Sequence, residues 1–512
     1  MSTVPTGPTA LDVVDAFRQA ARQHPDRTAI VHDGTAMDYR TLDTLVTGVA
    51  ARLGPGPGTV AVAATRTAST VVALLGVLAA GGTYCPIDPQ YPAERRDALA
   101  RAAGCRVVIA TCDGPTLLSG VPAIDIRNMS DGWDTSGRDT SPAGQPSDIG
   151  EPDEPAYILF TSGSTGAPKP VVTPRRAIAA AVSSLGQFLG LNDGDRVLQF
   201  ASLNWDTCFE EILPALTTGA ALVFDHAAHA GSFARFLDVI DRQRLSVVDL
   251  PTAYWHEWVR HLIRERQSLP PSLRIVVIGG EAAHPARLAD WRALDTADVR
   301  LVNTYGCTET TLVTHAVDLY GPLAAADVAG ERVPIGGPLP HVVERLGGDG
   351  ELLIGGDSVA LGYQGLPTAT AEKFLVLGTP AGPVRFFRTG DLVRRLDGGV
   401  LLHEGRADHQ LKVAGIRVDP GEAEALISEH PHVAAVAVTG QNLDGLTSLV
   451  AYVVGAPGSD AAQLPGDILA FIRPRSPRHL IPARIVVTEQ LPHTASGKVD
   501  RARLPGLADA GS

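Results

Sequence analysis

The run YILFTSGSTGAPKPVV, residues 157–172, carries the densest chemistry in the chain. An apolar stretch from Tyr157 to Phe160 gives way to six consecutive Thr, Ser or Gly residues: Thr161, Ser162, Gly163, Ser164, Thr165 and Gly166. Lys169 follows after Ala167 and Pro168. Glycines let backbone N–H groups approach an anion, hydroxyls add donors and the lysine adds a mobile positive charge, so the run predicts a strand ending in a phosphate loop. Its spacing is not the GxxxxGK[ST] of a Walker A loop. Taken alone, a Gly/Ser/Thr cluster also suits a flexible linker, and the stretches further along the chain decide between the two. Lysine is scarce enough to be informative: of 43 basic residues only Lys169, Lys373, Lys412 and Lys498 are lysines. A slim, flexible ammonium has been kept at a few places in a chain that otherwise uses the planar arginine fork.

These groups need elements to hold them. With 512 residues the chain exceeds one ordinary core, so two or more domains are expected. A hydrophobic content of 45% with 19% charged residues suits a globular protein, and the net charge of −13 argues against nucleic-acid or membrane-surface binding. There is no 18-residue apolar span and no signal-peptide pattern, so the expected location is the cytoplasm. Five cysteines (Cys85, Cys105, Cys112, Cys208, Cys307) form no CxxC pair and read as reduced core residues. Residues 8–24 have helical apolar spacing, 59–64 read as a strand, and 71–96 read as a buried helix, a Gly-Gly stop, a strand and a proline-rich turn. This alternation predicts parallel sheets covered by helices. Residues 129–155 read as an exposed loop. Ala177 to Leu189 reads as a helix whose N-terminus would also face the phosphates. Stretches 201–224, 245–258, 275–283 and 302–311 place small or polar residues at or near strand ends, where open α/β sheets bind ligands. Residues 350–363 and 386–408 read as β-rich, and a smaller α+β unit starts at His409.

The ordered set of these stretches, from AGGTYCPIDPQYP to the terminal SGKVDR, resembles the adenylate-forming superfamily, specifically the amino-acid adenylation domains of nonribosomal peptide synthetases (NRPSs). The resemblance implies an α/β N-terminal adenylation core over residues 1–407, with a β-rich subdomain, and a small mobile α+β domain over residues 408–512. It implies that Thr161 to Lys169 wrap the phosphates of ATP. Gly279, Gly280, Glu281, Asn303 and Tyr305 would form the adenine pocket. Thr308 and Glu309 would face the α-phosphate and Mg²⁺, which as a hard cation takes carboxylate oxygen. Asp391 would bind the ribose hydroxyls with Arg406 beside the nucleotide, and Lys498 would stabilise charge developing between carboxylate and α-phosphate. Asp408 matches the hinge of the small domain. The chain departs from the family at Pro170, which stands in place of Gly and removes a backbone donor. Cys307 stands in place of Pro, and Ala414 in place of Arg.

The same matching brings Asp206, Thr207, Glu210, Asp249, Val277, Gly279, Thr304, Leu312, Val313 and Lys498 into the family's substrate-contact positions. Asp206 would hold the ammonium nearest the carboxylate. Two further acids in an otherwise small or apolar pocket call for a cation, because buried carboxylates are costly unless paired. The expected substrate is thus a basic amino acid, β-lysine first and lysine next. With no HHxxxDG motif and eight residues after Leu504, the expectation is a freestanding ligase that passes its aminoacyl adenylate to the phosphopantetheine thiol of a separate carrier protein in bacterial antibiotic biosynthesis. The alternatives are a carrier-independent amide ligase and an inactive adenylation fold serving as a scaffold.

Overall fold

Runs such as TVAVA, VVDLP and IVVIG lack a continuous polar face, and strands of that kind belong inside sheets covered by helices. The computed structural model describes residues 10–111, 121–126, 150–162, 168–325, 332–407, 410–413, 416–443, 446–492 and 499–505. The chain divides into two compact units. One comprises Met1–Pro89, Ala100–Leu159 and Pro170–Ala407, the other Gln90–Leu99, Phe160–Lys169 and Asp408–Ser512.

The first unit contains a nine-stranded sheet in the order Gly337–Pro338, His315–Tyr320, Arg300–Tyr305, Ile275–Gly279, Val247–Pro251, Arg196–Leu198, Ala221–Phe224, Thr28–His32, Thr35–Asp38. From Arg300–Tyr305 across to Thr28–His32 the neighbours run parallel, and the flanking strands His315–Tyr320 and Thr35–Asp38 pair antiparallel. A seven-stranded sheet contains Pro155–Thr161, Thr83–Ile87, Thr59–Ala63 and Val107–Ala110 in neighbouring positions. The helix Ala68–Ala79 is apolar all round and buried along its whole length, as such a helix must be. With Val13–Gln23, Tyr39–Leu53, Arg175–Leu189 and Thr207–Thr218 it builds one core that takes in side chains from both sheets, including Val62, Tyr84, Ile30 and Leu222. A second core joins the nine-stranded sheet to the helices Phe233–Arg242, Thr252–Glu265 and Pro285–Ala293 and encloses Trp255, Trp258 and Trp291 completely. Each buried indole removes roughly 150–250 Å² from water, an upper bound of about 4–6 kcal/mol at about 25 cal/mol/Å². The β-rich region forms a five-stranded sheet of Val342–Leu346, Glu351–Gly356, Gly382–Arg395 and Phe374–Thr379, with Leu401–Arg406 paired to Gly382–Arg395.

In the second unit, the helices Pro420–Ser428 and Leu464–Ile472 share a core with the strands Val433–Leu443, Leu446–Gly455 and Arg484–Val487. This is the small α+β arrangement expected from His409 onward.

One expectation is corrected. The helix after the phosphate loop starts at Arg175, and the strand Lys169–Pro174 lies between loop and helix. Six extended residues span about 20 Å, so the loop does not open directly into that helix's N-terminus. Of the loop expected over residues 129–155, only 150–155 are described. Cys85, Cys105, Cys208 and Cys307 form no disulfide, and Cys112 lies outside the described residues. Among the described residues no helix is long and apolar enough to cross a membrane.

Candidate active site

Asp391 is the hub of one cluster. It lies on Gly382–Arg395 directly across from Arg406 in the antiparallel pair with Leu401–Arg406. Arg406 donates to Asp391 Oδ1 at 2.7 Å, and His403 Nε2 lies 3.1 Å from the same oxygen. Tyr305, the last residue of its strand, donates its hydroxyl to Asp391 Oδ2 at 2.6 Å. Burial and then the adjacent carboxylate hold the Tyr305 pKa well above its ordinary value, so the phenol stays a donor. The Asp391 amide donates to Thr389 Oγ1 at 3.0 Å, and Thr389 Oγ1 donates to the Leu352 carbonyl at 2.7 Å. The carboxylate is thus oriented from its own strand, its partner strand and the nine-stranded sheet, which is the way to hold a charge in a buried position at a defined angle.

Tyr305 also begins a tight turn. The Thr314 amide and hydroxyl both donate to the Tyr305 carbonyl, at 2.9 and 3.1 Å. Closing the loop forces Thr311 and Leu312 to φ values of 59° and 57°, unfavourable for side-chain-bearing residues. It also brings the Leu312 carbonyl 1.7 Å from where a Cβ on Gly306 would stand, so position 306 admits only glycine. The turn is pinned outward as well, by Thr311 Oγ1 to the Ser358 carbonyl at 2.7 Å and by the Ala360 amide to the Glu309 carbonyl at 3.0 Å. Glu309 is 2% exposed, and its Oε1 accepts from the Tyr363 hydroxyl at 2.9 Å. Thr308, beside it, lies close enough to the Asp206 side chain to favour its charged form.

Asp206 precedes the helix Thr207–Thr218, and Glu210 lies one turn further along it. Asp249 sits at the middle of Val247–Pro251, paired in register with Val277, which pairs with Val302. The fold brings the Glu210 and Asp249 carboxyls into hydrogen-bond contact. Burial, then the charges of Asp249, Asp206 and Glu211, hold Glu210 well above the ordinary carboxylate range. Burial likewise pushes Asp249 up, to about 7. Two neighbouring acids with little access to water do not both ionise cheaply, so the pair favours sharing a proton. Asp206 is also raised, first by burial. Glu211 is put to a different use: Phe200 and Ala201 amides donate to its Oε1 at 3.0 and 2.9 Å and Gln199 Nε2 to its Oε2 at 3.0 Å.

The other positions fall as follows. Gly279 closes the strand Ile275–Gly279 in register with Thr304, whose hydroxyl donates to the Ile278 carbonyl at 3.1 Å. A Cβ at Gly279 would stand 2.5 Å from Thr304 Oγ1, so the glycine keeps the end of this strand open. Gly280 turns at φ 84°, and the Thr252 hydroxyl braces the turn through the carbonyls of Gly279 and Glu281 at 2.9 and 3.3 Å. Asn303 donates to the Pro334 carbonyl at 2.7 Å, which leaves its buried Oδ1 without a partner. Val277 and Val313 belong to one apolar cluster, Leu312 is buried in another, and Thr207 is exposed. Thr161 ends the strand Pro155–Thr161 and Lys169 begins Lys169–Pro174. The Pro170 carbonyl accepts the Gln364 amide at 2.9 Å. Gly163, Ser164, Thr165, Gly166, Asp408, Ala414 and Lys498 lie outside the described residues. Sequence reasoning did not select His403, Thr389, Tyr363 or Glu211. Tyr363 is 54 residues from Glu309, a pairing without local signal.

Parallel strands that end in small or polar residues, with a buried carboxylate hub at Asp391, have the build of a ligand-binding α/β unit. The chain belongs to the family of AMP-binding enzymes, whose profile matches residues 17–364, with the family's C-terminal domain matching residues 422–498. It has the adenylate-forming fold and is an adenylating ligase of the NRPS adenylation type. It is 39% identical over 97% of its length to an isonitrile lipopeptide synthase of Streptomyces coeruleorubidus, covering 33% of that protein. It is 34% identical over 96% of its length to syringomycin synthase SyrB1 of Pseudomonas syringae pv. syringae, covering 81% of it. Among solved structures it resembles holo-PA1221, an NRPS protein containing adenylation and PCP domains, with a TM-score of 0.82 and 26% identity over 97% of this chain and 84% of that one. The chain spans 33%, 45% and 6% of the length of three of its curated relatives.

Proposed function

We propose that this chain activates a basic amino acid, β-lysine first and lysine next, as its AMP ester, and hands the aminoacyl group to the phosphopantetheine thiol of a carrier protein in the making of a nonribosomal peptide antibiotic. The observation that carries the substrate class is the contact between Glu210 and Asp249, with Asp206 beside them. Three neighbouring acids whose pKa values burial raises gain most from a ligand bearing two ammonium groups, one near the carboxylate for Asp206 and one at the far end for the pair.

Asp391, held by Tyr305, Arg406 and His403, suits two vicinal ribose hydroxyls, since a carboxylate accepts from both at once. The partnerless Asn303 Oδ1 suits the amino group of adenine. Glu309 supplies the hard oxygen that Mg²⁺ requires, and Mg²⁺ when bound neutralises phosphate charge. In the reaction a carboxylate oxygen of the amino acid bonds to the α-phosphorus, and the bond to the β-phosphate oxygen breaks to release pyrophosphate. Thr308 and Glu309 hold the reacting side, Thr161 to Lys169 hold the phosphates being lost, and Lys498 stabilises the charge that develops on the transferred phosphoryl group.

The test is amino-acid-dependent pyrophosphate release with ATP and β-lysine, lysine, ornithine, arginine or leucine. Preference for either lysine supports the reading, and preference for leucine overturns the cation pocket. Lys498→Ala is expected to slow release at least about a hundredfold. Adenylate formed without loading of any carrier, but consumed by a free amine, would replace the carrier step by direct amide formation.

A further inference from the structure

A second cluster lies at the edge of the nine-stranded sheet. The strand Thr28–His32 pairs in parallel with Ala221–Phe224, setting His32 level with Phe224. Each strand then turns: the first through Asp33 and Gly34, both at positive φ, the second into the 3-10 turn His226–His229. The two turns meet through Asp33. Its Oδ1 accepts the His226 amide at 3.1 Å, while its Oδ2 contacts His226 Nδ1 and lies 3.8 Å from His32 Nε2. The imidazole centroids of His32 and His226 are 5.9 Å apart. The three donor atoms all fall within 4.8 Å of one another. His32 Nε2 is buried and has no hydrogen-bond partner. The neighbouring acid, Asp225, is committed elsewhere, to Arg242 and Gln243 at 3.0 and 2.9 Å.

The geometry points to a binding site for one divalent transition-metal ion, with Zn²⁺ as the type ligand, formed by His32 Nε2, Asp33 Oδ2 and His226 Nδ1. Donors around a tetrahedral ion with bonds of about 2.0–2.1 Å lie about 3.3 Å apart, a separation reached by small rotations of the exposed Asp33 and His226 side chains about the more enclosed His32. Asp33 and His226 face solvent, so water completes the shell. Two imidazoles and one carboxylate select Zn²⁺, Ni²⁺, Co²⁺ or Cu²⁺ over Mg²⁺, which prefers an all-oxygen shell. This separates the site from the one proposed at Glu309. An ion here clips the edge hairpin to the turn after Ala221–Phe224, so binding to the folded state alone raises its stability.

The test is calorimetric titration of the tag-free, metal-stripped full chain with Zn²⁺ and separately with Mg²⁺, paired with thermal melts. One Zn²⁺ bound per chain and a Zn²⁺-dependent rise in Tm are expected, with no matching response to Mg²⁺. His226→Ala removes a ligand from an exposed turn and Asp33→Asn keeps a residue type tolerant of positive φ, so both are expected to fold. Each should weaken Zn²⁺ binding by at least about tenfold. Zn²⁺ binding of unchanged strength in both variants, which would place the ion on the cysteines or other histidines, overturns the site. So does the absence of binding by the unaltered chain up to about 1 mM Zn²⁺.

Discussion

Substituting Glu210→Gln removes one of the two carboxyls in contact while preserving side-chain length. In the unliganded chain, Glu210 and Asp249 titrate above the ordinary carboxylate range because burial disfavours charge. A cation at about 4 Å from an ionised carboxylate gains about 4 kcal/mol at an effective dielectric of about 20. Driving off the pair's proton costs about 1.4 kcal/mol for each unit by which its pKa exceeds the assay pH. The net loss in Glu210→Gln is about 1.4–3 kcal/mol, a roughly 10- to 150-fold fall in kcat/KM for a diamino acid. Leucine should show no such fall. The pH dependence follows from the same cause. A carboxyl raised in the folded state binds more protons there than when unfolded, so the unliganded chain loses stability as pH rises from about 4 through about 7, the value for Asp249. Glu210→Gln should flatten that slope and raise the urea midpoint at about pH 8. The assays are pyrophosphate release with lysine, β-lysine and leucine, and urea unfolding between about pH 5.5 and about pH 8. Equal loss of activity with leucine and lysine, together with an unchanged slope, would refute the account of a cation pocket built on a shared proton.

Three other substitutions probe the framework. Tyr305→Phe deletes a 2.6 Å hydrogen bond to a carboxylate, a contact of about 1.5–3 kcal/mol, so the KM for ATP should rise roughly 10- to 150-fold; an unchanged KM would remove Asp391 from the nucleotide site. Glu211→Gln weakens acceptance from the Phe200 and Ala201 amides and should cost about 1–3 kcal/mol in urea unfolding while leaving amino-acid preference intact. Gly306→Ala puts a methyl onto the Leu312 carbonyl and should cost about 1–3 kcal/mol or more, lowering Tm together with activity; a neutral effect would refute the close approach of Leu312 to position 306.

Much of the fold was legible because its signals are local. Apolar runs of five residues gave the inner strands, and the all-apolar stretch around residue 74 gave a helix buried on every side. The helix over Ala177 to Leu189 lies where its apolar spacing put it, but the strand before it went unread, because Lys169–Pro174 is short and begins with a lysine and a proline, which weaken a strand signal. At the site, Asp391, Glu309 and Tyr305 could be named from their motifs, but not the groups that orient them. Thr389, His403 and Tyr363 reach those residues through strand register and loop closure, which no short window contains.

The adjacent acids Glu210 and Glu211 mark the division between sequence and tertiary structure most sharply. The sequence by itself determined that two carboxylates stand side by side at the start of an apolar helix, and that the chain has the residue types for adenylation. Only the tertiary structure decided that Glu211 faces the amides of Phe200 and Ala201 while Glu210 meets Asp249 from a strand 39 residues away. The physical reason is that consecutive helical residues point about 100° apart, so one turns toward a backbone that satisfies it and the other toward an acid that does not.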